Sequence, residues 1–117
     1  MPGIAKYLLI VSMDVDPAHE ALFNEVYDQE HIPNLSRVPG VLRITRYTRQ
    51  QLIMNLGGER RTMRAENEPA YTVIYELENP DVLTSPEWNE AVEEGRWPAQ
   101  VRPHTRNRRH VLFKMMG

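Results

Sequence analysis

The stretch FNEVYDQEHIPNLSRVPGVLRITRY, residues 23 to 47, contains the signals for a helix, a turn and a strand in succession. Phe23, Tyr27 and His31 recur at four-residue spacing, which places their three rings on one face of a helix. Pro33 disfavours helical backbone at the residue before it, so the helix is expected to end or kink near His31. A VPG turn follows, and the next side chains alternate as in a strand. The stretch therefore predicts an amphipathic helix with a polar end that leads into a sheet.

The rest of the chain adds three more strands and a second helix. Helices are predicted after Asp16-Pro17 and Ser85-Pro86, where a capping residue precedes proline at the first helical position. Gly95 is expected to end the second helix. Apolar or alternating side chains predict the strands IAKYLLIVSM (4–13), VLRITRYTRQQ (41–51), AYTVIYELE (70–78) and RRHVLFKMM (108–116).

The resulting order, β-α-β-β-α-β, predicts one α+β domain over residues 1–117. Two split crossovers on a four-stranded antiparallel sheet give a ferredoxin-like sandwich. The segment 54–69 carries Gly57-Gly58 and many charges, and is predicted to be a long loop or an extended hairpin. Two helices cover one face of such a sheet, and the other face would expose a large apolar patch. We therefore predict a homodimer packed sheet to sheet.

Composition excludes several classes of protein. The 117 residues include 41% hydrophobic residues and carry a net charge of −2, which argues against a dedicated nucleic-acid binder. The third strand also lacks the basic-glycine-aromatic run of RNA-recognition motifs. The absence of cysteine excludes disulfides, thiolate metal sites and cysteine nucleophiles, and fits a cytoplasmic location.

No segment predicts membrane insertion. No apolar run approaches the roughly 18 residues that a membrane span needs. The apolar run near the N-terminus is interrupted by Lys6, is closed by Asp14 and Asp16, and lacks a cleavage site of small residues. We interpret that run as a strand rather than a signal peptide.

His31 is the strongest candidate for catalysis. An imidazole with an ordinary pKa of about 6.5 suits acid or base chemistry at neutral pH. Tyr27 lies one turn earlier and could orient the ring or a substrate oxygen, while Asp28 and Glu30 could fix its tautomer or raise its pKa. The alternative is a histidine that caps the last carbonyls of the helix. Asp28 and His31 could also meet one metal ion, but no second ligand pair appears and no metal site is predicted.

Candidate ligand contacts lie in the second helix and the second strand. Trp88 and Trp97 flank the second helix, where they either pack in the core or form the wall of a cleft for a flat ligand. Arg43 and Tyr47 share one face of their strand and are predicted to complete that pocket. His104 and His110 are more typical of structural residues. Arginines crowd the C-terminal quarter, where they either bind a carboxylate or phosphate or pair with surface acids: Arg102, Arg106, Arg108 and Arg109.

The passage 23–47, with its aromatic-x-x-x-His-x-Pro motif, resembles the first helix and second strand of the dimeric α+β barrel superfamily, in particular small proteins of the EthD type. SPEWNEAVEEGRW and RPHTRNRRHVLFK resemble the second helix and last strand of such proteins. The resemblance covers nearly the whole chain except 54–69. It implies a ligand cleft between the sheet and the helices of each subunit, and it carries over Tyr27, His31, Pro33 and Trp88.

The resemblance also implies a range of chemistries. The superfamily includes cofactor-free monooxygenases that act on polyketides, polyketide cyclases, lactone isomerases, haem-degrading enzymes and plant stress-responsive proteins. Haem-degrading members use an axial histidine around the second helix, and residues 81–95 contain no histidine. We therefore expect no cofactor.

The favoured interpretation is a homodimer that binds an apolar or aromatic small molecule. Any chemistry would be proton transfer leading to cyclisation, isomerisation or oxygenation of an acidic C–H substrate. His31 would be the base and Tyr27 would stabilise the developing oxyanion. The alternative is a non-catalytic dimer that sequesters a ligand or serves as an interaction module.

Overall fold

The computed structural model describes residues 5–117, so the predicted start of the first strand at Ile4 lies outside the described residues. Helices cover one face of a four-stranded sheet, and a separate two-stranded hairpin extends from it. The strands are β1 (Tyr7–Val15), β2 (Val41–Thr48), β3 (Leu52–Leu56), β4 (Glu59–Met63), β5 (Tyr71–Leu77) and β6 (Thr105–Lys114), and the α-helices are α1 (Glu20–Val26), α2 (Ile32–Ser36) and α3 (Pro86–Ala91).

The main sheet has the order β2-β5-β1-β6, and every neighbouring pair is antiparallel. The first and third long strands therefore lie in the centre, with the second and fourth at the edges. This is the ferredoxin-like arrangement, in which each helical crossover skips one strand position. The predicted fold class, an α+β sandwich with a four-stranded antiparallel sheet, is confirmed.

The alternation along β1 separates the two faces of the sheet. Leu9, Val11 and Met13 are buried under the helices, and they form the core together with residues of the first helix. Leu8 and Ile10 point to the opposite side. The core between the helices and the sheet also contains Phe23, Val26, Tyr27, Leu35, Val73, Tyr75, Leu77, Val82, Ala91, Trp97 and Val101.

The other side of the sheet, named here the outer face, carries neighbouring apolar side chains from three strands. Leu8 lies opposite Phe113, and Ile10 lies between Ile74 and Val111. Phe113 is 51% exposed and Val111 is 43% exposed. No element of residues 5–117 covers these five side chains, so an apolar patch remains open to a partner.

The first helix continues past His31. A π-helical turn, Tyr27–His31, joins α1 to α2, and within it the Ile32 amide donates to the Tyr27 carbonyl. Pro33 lies in the first turn of α2, directly after the π-helical turn. The sequence predicts that the helix ends or kinks near His31. The chain stays helical past His31, so the helix does not end there, but the regular α-helix is interrupted at Tyr27–His31 by the wider π-helical turn before it resumes as α2.

The second helical segment is broken into short pieces. The Ser85 hydroxyl accepts a hydrogen bond from the Trp88 amide at 3.2 Å, which confirms the predicted N-cap of α3. The α-helix ends at Ala91, earlier than predicted, and Gly95 turns the chain with a φ of 70°. A π-helical turn, Trp97–Val101, and a 3₁₀ turn, Arg102–His104, lead into β6. Across the described chain, no helix combines the length and the apolar character needed to cross a membrane.

The segment between β2 and β5 forms a hairpin, which is one of the two predicted alternatives. Strands β3 and β4 pair from Leu52 opposite Met63 to Leu56 opposite Glu59. Gly57 and Gly58 make the turn with φ values of 63° and 81°, as a two-residue hairpin loop of this kind requires. Nearly every side chain of the hairpin is exposed, so it projects from the body of the domain.

Candidate functional site

A cavity of about 330 Å³ lies between the helices and the sheet. Its floor consists of side chains from β1 and β5, which share one face of the sheet because alternate residues point the same way. Its roof comes from the first helix and from the second helical segment, and its open end lies near the start of β6. The cavity is lined by Leu9, Val11, Met13, Tyr27, His31, Leu35, Tyr75, Leu83, Trp88, Val92, Trp97, Arg102, Arg108 and His110.

His31 lies in the roof of this cavity and is 5% exposed. Its ring stacks on Trp97, with the centroids 4.4 Å apart and the planes 21° apart. The edge of the Tyr27 ring lies against it at 5.2 Å. Its Nδ1 is buried and has no hydrogen-bond partner among residues 5–117. The His31 side chain therefore packs against two aromatic rings, and its buried Nδ1 is left without a polar partner among the described residues.

Burial lowers the pKa of His31 to about 4, because a charged imidazolium loses its hydration in the cavity. The positive charge of Arg102 lowers this pKa further, and the carboxylate of Glu93 opposes the shift. At neutral pH the ring is consequently an uncharged base.

The acids beside His31 in sequence are occupied elsewhere. The Asp28 carboxylate accepts a hydrogen bond from Arg46 at 2.8 Å. The Glu30 carboxylate accepts one from the Arg96 amide at 2.9 Å, together with a bond from the Arg96 side chain. The prediction that Asp28 and Glu30 could raise the pKa of His31 is therefore wrong: both carboxylates point away from the cavity, toward cationic partners.

Tyr27 is buried beside His31, and its ring meets Trp97 edge-on at 4.9 Å. The Arg46 guanidinium lies 4.6 Å from the centre of the same ring. Burial raises the pKa of Tyr27 to about 12, although a hydrogen bond from the Tyr75 hydroxyl and the charge of Arg46 act against the rise. The phenol stays protonated at neutral pH, and its O–H is a donor inside the cavity.

The two predicted tryptophans both line the cavity. Trp97 is buried against His31, and Trp88 is half-buried with its ring edge-on to Tyr75 at 5.5 Å. They are the only tryptophans in the sequence. A flat apolar ligand would meet aromatic rings on several sides of this space.

Arg43 and Tyr47 do not line the cavity, which corrects the prediction that they complete it. Arg43 lies on the other side of the sheet, opposite Glu76 and 3.7 Å from its carboxylate. Tyr47 lies on the same side and is 51% exposed. Alternation along β2 defines two sets of side chains, but it does not reveal which set faces the helices. The set that faces them includes Arg46.

Several residues that line the cavity were not predicted from the sequence. Tyr75 of β5 lies directly opposite Leu9 of the neighbouring strand β1, and only the register of the sheet brings these two residues together. Arg102, Arg108 and His110 lie at the open end, although the sequence analysis treated His110 as structural and the arginines as a general basic cluster. The sequence signal for Tyr75 was its place in the alternation of AYTVIYELE, where it shares a face with the buried Val73.

A second group of polar side chains lies outside the cavity. One potential ligand atom each from Asp16, His19 and His104 lies within 4.8 Å of the others. The two imidazoles stack with centroids 3.5 Å apart and planes 8° apart. An imidazole binds a metal in the plane of its own ring, and one ion cannot lie in two parallel planes at that separation. In this arrangement the group does not form a metal site.

Comparison with solved structures shows the same fold at low sequence identity. A variant of MhuD with manganese protoporphyrin IX bound is 11% identical, with a TM-score of 0.59 and coverage of 93% of each chain. An EthD family protein from Bacillus halodurans is 11% identical, with a TM-score of 0.57 over 94% of this chain and 99% of its own. A haem-bound structure of MhuD from Mycobacterium tuberculosis is 11% identical, with a TM-score of 0.51 over 93% of this chain and 94% of its own.

No protein-family profile and no curated protein sequence matches the chain. The structural likeness therefore establishes the fold that this chain shares with these solved structures. The resemblance to EthD-type proteins stated from the sequence is confirmed at the level of the fold.

Proposed function

We propose that this protein binds an apolar or aromatic small molecule in the cavity and transfers a proton on it without a cofactor. The observation that supports the proposal is the position of His31: a buried, uncharged imidazole with an unpartnered nitrogen borders a cavity of about 330 Å³. The phenol of Tyr27 lies against the same ring. A base and a hydrogen-bond donor thus border the same cavity.

The chemistry follows from the protonation states. His31 is free to accept a proton from an acidic C–H or phenolic O–H, and the anion formed in the cavity would stabilise the imidazolium as an ion pair. Tyr27 keeps its proton and donates a hydrogen bond to the developing oxyanion. Cyclisation, isomerisation or reaction with dioxygen would then proceed from the enolate or phenolate, according to the substrate.

Haem binding is the alternative that the MhuD structures raise. The segment 80–101 contains no histidine, cysteine, methionine or tyrosine, and so offers no axial ligand. His104, in the turn that follows, stacks on His19 and does not line the cavity. His31 comes from the first helix, and its ring is stacked on Trp97. These residues do not fit a haem site of the kind expected around the second helix, and no step here involves haem.

The working unit in this proposal is a cytoplasmic homodimer. The outer face supplies the dimer surface, because Leu8, Ile10 and Phe113 lie side by side and no element of residues 5–117 covers them. Two sheets packed on these faces would form a dimeric α+β barrel. The cytoplasmic location rests on the absence of cysteine from the sequence.

Deuterium exchange on a simple probe tests the proton-transfer step. 2-Tetralone combines a fused aromatic ring with acidic C–H groups beside a carbonyl, and its exchange in D₂O is followed by NMR. We expect exchange above the buffer rate, a loss of roughly 10²-fold or more in His31→Gln, and a smaller loss in Tyr27→Phe. Tyr47→Phe, on the other side of the sheet, should match the wild type.

Binding is measured in parallel by tryptophan fluorescence. Because both tryptophans of the chain line the cavity, quenching reports its occupancy directly. If 2-tetralone binds but the protein does not accelerate its deuterium exchange, the proposed catalysis is wrong and the protein sequesters its ligand instead. The same titration is carried out with phenols, lactones and aromatic acids. If none of these compounds binds, the protein is better explained as a non-catalytic interaction module.

A further inference from the structure

We infer that the ligand of this cavity carries a carboxylate, which Arg108 binds at the open end. The inference rests on the proposed small-molecule function and names its substrate class: a flat aromatic acid with its ring between the tryptophans. It comes from an imbalance of charge around the cavity that the sequence alone does not reveal.

The lining of the cavity is cationic at one end and uncharged elsewhere. Two arginines border it, and none of its lining residues is an aspartate or a glutamate. Arg102 is already paired, because its guanidinium donates to the Glu93 carboxylate and, at 3.0 Å, to the Val92 carbonyl. The positive charge that remains for a ligand is that of Arg108.

Arg108 differs from the other arginines of β6. The Arg106 side chain donates to the Asp16 carboxylate, and Arg109 donates to the Glu68 carboxylate at 2.8 Å. Within residues 5–117, Arg108 makes neither a side-chain hydrogen bond nor an ion pair. A guanidinium that borders an apolar cavity without a partner is suited to bidentate binding of a carboxylate.

A β-bulge sets the direction of these side chains. The pairing of β1 with β6 shifts by one residue between Ser12 and Asp14. Asn107 takes a backbone φ of 52° at this point, and its side-chain amide donates a hydrogen bond to the Asp14 carboxylate at 3.1 Å. The extra residue places Arg106 opposite Asp14, away from the cavity, while Arg108 remains beside it. Such bulges recur next to binding sites, where they redirect a side chain.

The rest of the cavity fits the neutral part of such a ligand. Trp88 and Trp97 supply flat apolar surfaces, and the hydroxyl groups of Tyr27 and Tyr75 stay uncharged at neutral pH. A volume of about 330 Å³ lies at the lower end of the range for small-molecule sites, so one or two fused rings are the appropriate size.

A matched pair of probes isolates the contribution of the carboxylate. 2-Naphthoic acid and 2-naphthamide have nearly the same shape, and only the acid is charged at pH 7.5. We expect calorimetric titration of the wild type to show the acid bound about tenfold more tightly than the amide. This preference should shrink as salt is raised, because Arg108 is exposed to solvent on one side.

Two variants test whether Arg108 causes the preference for the acid over the amide. Arg108→Gln should bind acid and amide equally, with the amide affinity changed less than about twofold. Arg109→Gln removes the same charge from the adjacent residue, on the other side of the strand, and should keep the wild-type preference.

The outcomes separate this inference from the function on which it rests. Equal binding of both probes by the wild type, or a preference that survives in Arg108→Gln, would overturn the carboxylate site and leave the small-molecule function standing. Binding of neither probe would remove the small-molecule function, and the carboxylate site with it.

Discussion

At His31, burial and the neighbouring positive charge of Arg102 both lower the pKa of the imidazole. The His31 ring lies between Trp97 and Tyr27, and the positive charge of Arg102 disfavours protonation of the ring. The side chain therefore contributes a base and a flat contact surface, and no charge at neutral pH. The same property links the candidate site to the stability of the whole domain.

The stability of the protein should fall in acid because of His31. Its pKa is about 4 in the folded state and about 6.5 when unfolded, so the unfolded state binds the extra proton between these values. The free energy of unfolding is unaffected by this group above pH 6.5 and falls as the pH drops through that window. At pH 5 the expected loss is about 2 kcal/mol.

Urea denaturation of wild type and His31→Gln at pH 7.5 and pH 5 measures this effect. The variant should lose about 2 kcal/mol less than the wild type between the two pH values. If both proteins lost the same amount, His31 would not be held uncharged by the fold.

At the scale of elements, one ionic connection holds the first helix against the second helical segment. The Glu30 carboxylate accepts from the amide and side chain of Arg96, and Glu25 accepts from the same guanidinium at 2.9 Å. Trp97 follows Arg96 directly, so this connection places its ring on His31. Gly95 allows the close approach, because a Cβ there would lie 2.5 Å from Glu30 Oε1.

Gly95→Ala should disrupt this connection. Its φ of 70° already disfavours a side chain, and the added methyl group would displace the Glu30 carboxylate. We expect a loss of about 2–4 kcal/mol in the free energy of unfolding. Gly57→Ala is the control, since its φ is 63° but nothing lies within 4 Å of the new methyl group, and it should cost about 1 kcal/mol. Equal losses in urea denaturation would mean that the Glu30 contact is unimportant.

At the scale of the whole molecule, the chain is more extended than a compact domain of its length. Its radius of gyration is 16.1 Å, against about 13 Å expected for 117 residues. The projecting hairpin, β3 with β4, contributes to this shape. Together with the apolar outer face, such an outline is typical of a subunit that is completed by a partner.

Phe113→Glu should convert the proposed dimer to a monomer. Its side chain lies on the outer face opposite Leu8, and a buried carboxylate there would lose its hydration. Sedimentation equilibrium should give a mass near twice 13.7 kDa for the wild type and near 13.7 kDa for the variant. Leu112→Glu, the adjacent residue on the other side of β6, should remain dimeric. A wild type that sediments at 13.7 kDa at micromolar concentration would contradict the dimer.

The sequence by itself determined the order of elements and the periodicity within each one. Alternation identified the strands, Ser85 marked a helix start, and the four-residue spacing of Tyr27 and His31 placed both rings on one helix face. These features depend on neighbours within a few residues, so local steric and hydrogen-bonding rules are enough to predict them.

Only the tertiary structure decided which residues share the cavity and in which charge state. Arg46 rather than Arg43 faces the helices, because either set of alternating side chains on β2 satisfies the same local pattern. His31 is uncharged because Trp97, far away in the sequence, covers it. Within residues 5–117, Arg108 borders the cavity without a polar partner, while the bulge in β6 turns Arg106 toward Asp16. Each of these outcomes depends on contacts between distant segments, and a local pattern contains no information about them.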